Sequence, residues 1–124
     1  MLSRRTSLRT AIAVLGAGAA LALSMSSPAF AANEGSYPFS TANCAAYQRI
    51  ELQYYNGGYH DFQAIDPTRT NGNCEFIVWD NQHAVYDRFS GAQSPWYYDG
   101  PGHSMTVSII DHSSGQTAWG PITN

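Results

Sequence analysis

The sequence predicts an all-β fold: a small antiparallel two-sheet sandwich, immunoglobulin-like or similar, of about seven strands with one disulfide. Three observations predict it. Beyond residue 31 the apolar residues recur with period two, and no stretch carries a 3.6-residue stripe. Asn, Gly, Pro and Asp punctuate the chain at near-regular intervals, as turns between short strands require. The two cysteines, Cys44 and Cys74, both fall in this part. With no helix to cover a single sheet, the strands must bury their apolar faces against each other. A sandwich does this most economically, a small barrel next.

Residues 1–31 read as a signal peptide. Arg4, Arg5 and Arg9 make a cationic start, Ala11 to Met25 is an uncharged run of 15 residues, and Ala29-Phe30-Ala31 supplies the small residues that a signal peptidase accepts. Cleavage is expected between Ala31 and Ala32, and the apolar run is short of the roughly 20 residues of a membrane span. The stretch SRRTSLR resembles the twin-arginine export motif at Ser3, Arg4, Arg5 and Leu8, and departs from it at Ser7 and Arg9. The general export route remains an alternative. The leader resembles those of small secreted proteins of actinomycete-type bacteria, and this resemblance names no family for the rest of the chain. It implies a secreted, extracellular protein.

The processed chain, Ala32 to Asn124, has 93 residues, enough for one domain. It retains three arginines, Arg49, Arg69 and Arg88, against nine carboxylates and has no lysine, a net charge of −6. Such a surface repels polyanions, so neither nucleic acid nor an anionic membrane is an expected partner. In an oxidising compartment Cys44 and Cys74 are most simply one disulfide.

Residues 32–43, ANEGSYPFSTAN, are polar and lack periodicity, so a loose N-terminal arm is expected there, with the sandwich over 44–124. Ile50, Leu52 and Tyr54 alternate with Arg49, Glu51 and Gln53 as a half-buried strand. Asn56-Gly57-Gly58 offers a hairpin turn into a strand over Tyr59 to Ile65. Asp66-Pro67 and Asn71-Gly72-Asn73 bracket a loop. CEFIVWD, Cys74 to Asp80, is strongly β by its Phe, Ile, Val and Trp, and Asp80-Asn81 turns into a strand near Ala84 to Phe89. After the SGAQSP loop come a short strand at Trp96 to Tyr98, the turn Gly100-Pro101-Gly102, a strand over Ser104 to Asp111 and a last strand around Thr117 to Gly120. If the first three strands meander, Cys44 and Cys74 start the first and third at one end of the domain.

Few chemistries are written in the residues. His60, His83, His103 and His112 show no HxH or HExxH spacing, so no metal site and no cofactor are expected. There is no GxSxG elbow, and Glu51 and Glu75 alternate with apolar neighbours as solvent-facing residues. The expectation is a non-catalytic domain, with a small hydrolase as an alternative. Fifteen of the 93 residues are aromatic, more than so small a core can bury. Trp79 falls on the glutamate face of its strand, and Tyr97 and Tyr98 must point opposite ways. Trp96, Tyr97, Tyr98 and Trp79 are therefore the candidate binding residues, for a polysaccharide or an extracellular protein surface. A second alternative is a serine-protease inhibitor presenting Arg69 from the loop DPTRTNGNC.

Overall fold

The computed structural model describes residues 34–123. The expected signal peptide and its cut between Ala31 and Ala32 lie outside the described residues. Eight strands form: β1 (Gly35–Ser40), β2 (Ala45–Tyr55), β3 (Gly58–Arg69), β4 (Cys74–Asp80), β5 (His83–Arg88), β6 (Tyr97–Tyr98), β7 (Met105–Asp111) and β8 (Gln116–Trp119). They make two four-stranded antiparallel sheets, in the orders β1-β2-β3-β6 and β5-β4-β7-β8. This is the expected two-sheet sandwich, its first sheet a three-strand meander closed by β6.

Alternation decides which side chains meet between the sheets. Phe76 and Val78 of β4 and Met105, Val107 and Ile109 of β7 are buried, and they pack with Ala46 of β2 and Ile65 of β3 in one core. Phe39, Tyr86 and Tyr97 close its edges. The disulfide joins Cys44 and Cys74, whose Cα atoms lie 5.8 Å apart and which are both fully buried.

Four expectations need correction. The loose arm over 32–43 is largely β1, which pairs with β2 from Gly35↔Ile50 to Ser40↔Ala45. Its Tyr37 and Phe39 turn inward in alternation, a pattern too short to read without the partner strand. Pro38 is tolerated because β1 is an edge strand. Asp66-Pro67 does not open a loop. β3 runs through it to Arg69, and Pro67 stands opposite Ala46 beside a register shift at Ala45/Ala46. Its missing N–H costs nothing because β6 pairs with β3 only at Phe62 and Gln63. Leu52 and Tyr54 are 49% and 67% exposed instead of half-buried. β2 and β3 are 11 and 12 residues long while β4 and β7 have seven each, so the β2–β3 hairpin overhangs the facing sheet. Glu75, expected to face solvent freely, is half-buried and bound to His112 at 2.8 Å.

Polar groups hold the two ends of the sandwich. At the disulfide end, buried Asp111 accepts hydrogen bonds from the Thr41 hydroxyl (2.8 Å) and the amides of Asn43 (2.9 Å), Ser113 (3.0 Å) and Ser114 (3.1 Å). Burial alone would raise this carboxyl. The donors from Thr41, Asn43 and Ser114 outweigh it and hold the group well below the usual carboxylate range. The turn after β1 is thereby tied to the turn after β7, one in each sheet.

At the other end the turns follow the sequence signals. Asn56 and Gly57 have φ of 55° and 85°, as a type I′ hairpin needs. His103 N–H donates to Gly100 O at 3.1 Å, and Gly102 has φ 87°, so the expected turn around Pro101 closes as a type II turn. The β4–β5 hairpin sets Asn81 at φ 50° and Gln82 at φ 70°. Gln82 occupies a left-handed position that glycine fills without strain. Gln82→Gly is expected to raise stability by about 1 kcal/mol, read as a rise in thermal midpoint of roughly 4–8 °C.

Candidate functional site

The residue following an inward one on a strand faces outward, so Val78 buried in the core places Trp79 on the outer face of the second sheet. Opposite Trp79 on β7 stands Thr106, and opposite Ser108 on β8 stands Trp119. The two indoles lean together across β7, with ring centroids 5.8 Å apart and planes 35° from parallel. Trp79 Nε1–H donates to Ser108 Oγ at 2.8 Å, which fixes the ring while leaving part of it open. Trp119 is 55% exposed.

After β8 the backbone bulges. Gly120 N–H donates to Val107 O, and Thr123 next pairs with Met105, so Pro121 and Ile122 oppose Thr106 alone. The extra residue re-aims the chain. Ile122 is thrown outward, 62% exposed, and Thr123 is turned into the core. Gly120 sits against the Gln48 carboxamide, where a methyl group would overlap it. The result is a cleft of about 400 Å3 walled by Trp79, Trp119 and Ile122, with Thr106, Ser104 and Gln82 supplying polar edges. The strained Gln82 thus stands at the cleft. Asn81 holds its turn in place, donating to Gly102 O at 3.0 Å and accepting from Ser104 N–H at 2.9 Å.

The four aromatics expected to act together are separated. Tyr97 points inward, packs against the core and lies 6.4 Å from the Tyr86 ring. Tyr98 stands opposite Phe62 on the outer face of the first sheet, in contact with the Tyr55, Phe62 and His60 rings. Trp96 is half-buried beside Arg49 and Glu51 of β2. Trp79 is alone among the four in the cleft, and its partner there is Trp119. Nothing local in QTAWG marks Trp119; only the register of β8 on β7 brings it to Trp79.

Arg69 is not presented from a loop. It is the last residue of β3, in register with Ala45, and its guanidinium donates to the carbonyls of Ala42 at 2.9 Å and Thr41 at 3.4 Å.

Farther along the same outer face as the cleft, Glu75 and Asp87 hydrogen-bond to each other, and His112 sits on Glu75. Asp87 is pushed up to about 6, first by that hydrogen bond and then by burial, while Glu75 is held down by Asp87 and His112. The two carboxyls therefore titrate as a pair. No protein-family model, curated protein or solved structure matches the chain.

Proposed function

We propose that the protein is a secreted, non-catalytic β-sandwich module that binds a polysaccharide chain in the Trp79–Trp119 cleft. The observation that carries this reading is the pair of leaning, partly open indoles with hydroxyl groups beside them. Sugar rings present apolar C–H faces to aromatic rings and hydroxyls to polar edges, and a shallow cleft admits a chain without an enclosed cavity. The acidic processed chain, its disulfide and the leader-like residues 1–31 support export to an extracellular surface.

The alternatives find less support. A protease inhibitor must offer a projecting arginine, whereas Arg69 is paired in a strand and bonded to backbone carbonyls. Glycoside hydrolysis needs carboxyl groups about 5 Å or more apart with the sugar between them. Glu75 and Asp87 act on each other, and Glu75 is already engaged by His112 at 2.8 Å.

Sedimentation with insoluble polysaccharides, together with tryptophan fluorescence titration against soluble oligosaccharides, tests the reading. Trp119→Ala is expected to weaken binding by about 2 kcal/mol, roughly thirtyfold in Kd. Trp96→Ala, which alters the other side of the sandwich, is expected to leave it unchanged. Retention on no glycan, or retention indifferent to Trp119→Ala, would remove the proposal.

A further inference from the structure

Two hairpins of the chain close through two-residue turns, Asn56-Gly57 between β2 and β3 and Asn81-Gln82 between β4 and β5. Both turns have positive φ at each central residue, 55° and 85° in the first, 50° and 70° in the second. Such a turn prefers Asn followed by Gly, because glycine takes the second position without strain. The first hairpin follows this preference and the second departs from it. Packing does not account for the departure: the Gln82 side chain is exposed and has no hydrogen-bond partner among the described residues. Asn81 already secures the turn. Its backbone N–H donates to Ser104 O at 2.8 Å, and its side chain bonds to Gly102 O and Ser104 N–H. Strain kept at a position with no structural use points to a function, and Gln82 lines the Trp79–Trp119 cleft.

The lining also limits what the ligand is. Among the described residues no ionisable side chain lines the cleft. Asp80, His83 and His103 are sequence neighbours of lining residues but do not line it, and Asp80 and His103 bond to each other at 2.7 Å. Arg49 pairs with Asp66, and Arg69 bonds to the carbonyls of Thr41 and Ala42. Arg88 stands opposite Phe76, three residues along β4 from Trp79, and Glu75 is one residue farther, so they are roughly 10 and 13 Å away. A uronate or a protonated amino sugar would meet no counter-charge here. Beside the indoles the cleft offers the Gln82 carboxamide and the Ser104 hydroxyl, each able to donate and to accept, as sugar hydroxyls require. Resting on the reading of this cleft as a glycan site, we propose that Gln82 is its specificity-determining contact, bonding through its carboxamide to a hydroxyl of an uncharged sugar chain.

The test is a tryptophan fluorescence titration with cellohexaose, xylohexaose and fully acetylated chitohexaose as uncharged probes. Oligogalacturonate and chitosan oligosaccharides are the charged probes, all in about 0.3 M salt to screen the overall negative charge. At least one uncharged probe is expected to bind, and each charged probe about tenfold or more weakly than that. Gln82→Gly removes the side chain, and Gln82→Met keeps its length and the strained backbone without the amide. Each is expected to weaken binding by roughly fivefold or more, the loss of one hydrogen bond. The thermal midpoint of Gln82→Gly, measured on the same samples, is expected to rise, which separates lost contact from lost fold. Parental affinity in either variant, where Trp119→Ala still weakens binding, would overturn the role of Gln82 and leave the glycan cleft standing. Equal or tighter binding of a charged probe, or a lowered midpoint in Gln82→Gly, would likewise overturn this proposal alone. Binding of no oligosaccharide would remove both.

Discussion

Reducing the Cys44–Cys74 disulfide is expected to lower the stability of the domain by about 3–4 kcal/mol, the entropy of releasing a closed loop of this length. The bridge spans 30 residues and joins the start of β2 in one sheet to the start of β4 in the other. Both cysteines are fully buried, and as thiols they still pack as small apolar groups. The loss therefore comes from the freer unfolded chain, and the native fold should persist with an unchanged far-ultraviolet spectrum. Domains of this size have little to spare, and about 5 kcal/mol in total is ordinary. Urea unfolding with and without reductant, and of the Cys44→Ala/Cys74→Ala variant, measures the effect. A midpoint lowered by roughly 2–3 M is expected, and equal midpoints would refute the account. Asp111 sharpens the expectation, because Cys44 N–H donates to Thr41 Oγ1, which itself bonds to Asp111. The Asp111 carboxyl is depressed in the fold, so its stabilisation is present above its unfolded value near 4 and fades as pH falls below that. The reduced protein should accordingly be the first to unfold in acid.

The parts of this architecture that were legible in the sequence are those whose signal is local. In β4, Phe76 and Val78 alternate with Ile77 and Trp79, and this alone places Trp79 on an outer face. Asn56-Gly57 and Pro101-Gly102 announce turns because few residues accept positive φ. The disulfide was legible as the simplest pairing of two cysteines; the meander expected to bring their strands together does not form, because the strand that starts at Cys74 crosses to the second sheet. What escaped depends on partners distant in sequence. β1 is a strand because β2 offers it a ladder, and Trp119 reaches Trp79 only through the register of three strands. Leu52 and Tyr54 carry a buried-strand pattern that is true of the hairpin but not of the length of the sheet facing it. The polar core is the deepest omission. Gln48 and Gln63 share strand faces with Ile50 and Ile65, yet their polar side chains do not announce core positions, and Asp99 precedes a Gly-Pro-Gly turn. All three are buried in one hydrogen-bonded run from Gln48 through Gln63 to Asp99.

Its place at the centre of that run makes Gln63 the second site of large effect. Its Nε2 donates to Asp99 Oδ2 at 2.8 Å and to Thr123 Oγ1, while its Oε1 accepts from Gln48 Nε2 at 2.6 Å. Gln48 also donates to Pro121 O at 3.0 Å, which ties the network to the bulge beneath the tryptophan cleft. Gln63→Leu keeps the shape and removes the bonds. Gln48 loses one acceptor, and Asp99 is left with Thr123 as its donor. A buried polar group deprived of its partner costs about 1–3 kcal/mol, and more when it is charged. A loss of about 3 kcal/mol at pH 7.5 is expected from chemical unfolding. Its pH dependence separates this cause from simple misfit. Burial raises the Asp99 carboxyl above its ordinary value, against the lowering by the Thr123 and Gln63 hydrogen bonds. A carboxyl raised in the fold contributes stability that is full below its unfolded value near 4 and lost as pH rises through the folded value. Without Gln63 it rises further, so the difference between variant and parent should be largest at neutral pH and shrink towards pH 4.5. Asp99→Asn, placed in the Gln63→Leu background, removes the charge and should recover part of the loss at pH 7.5. A penalty that stays constant from pH 4.5 to 7.5 and ignores Asp99→Asn would show that packing, and not a stranded carboxylate, holds this end of the sandwich together.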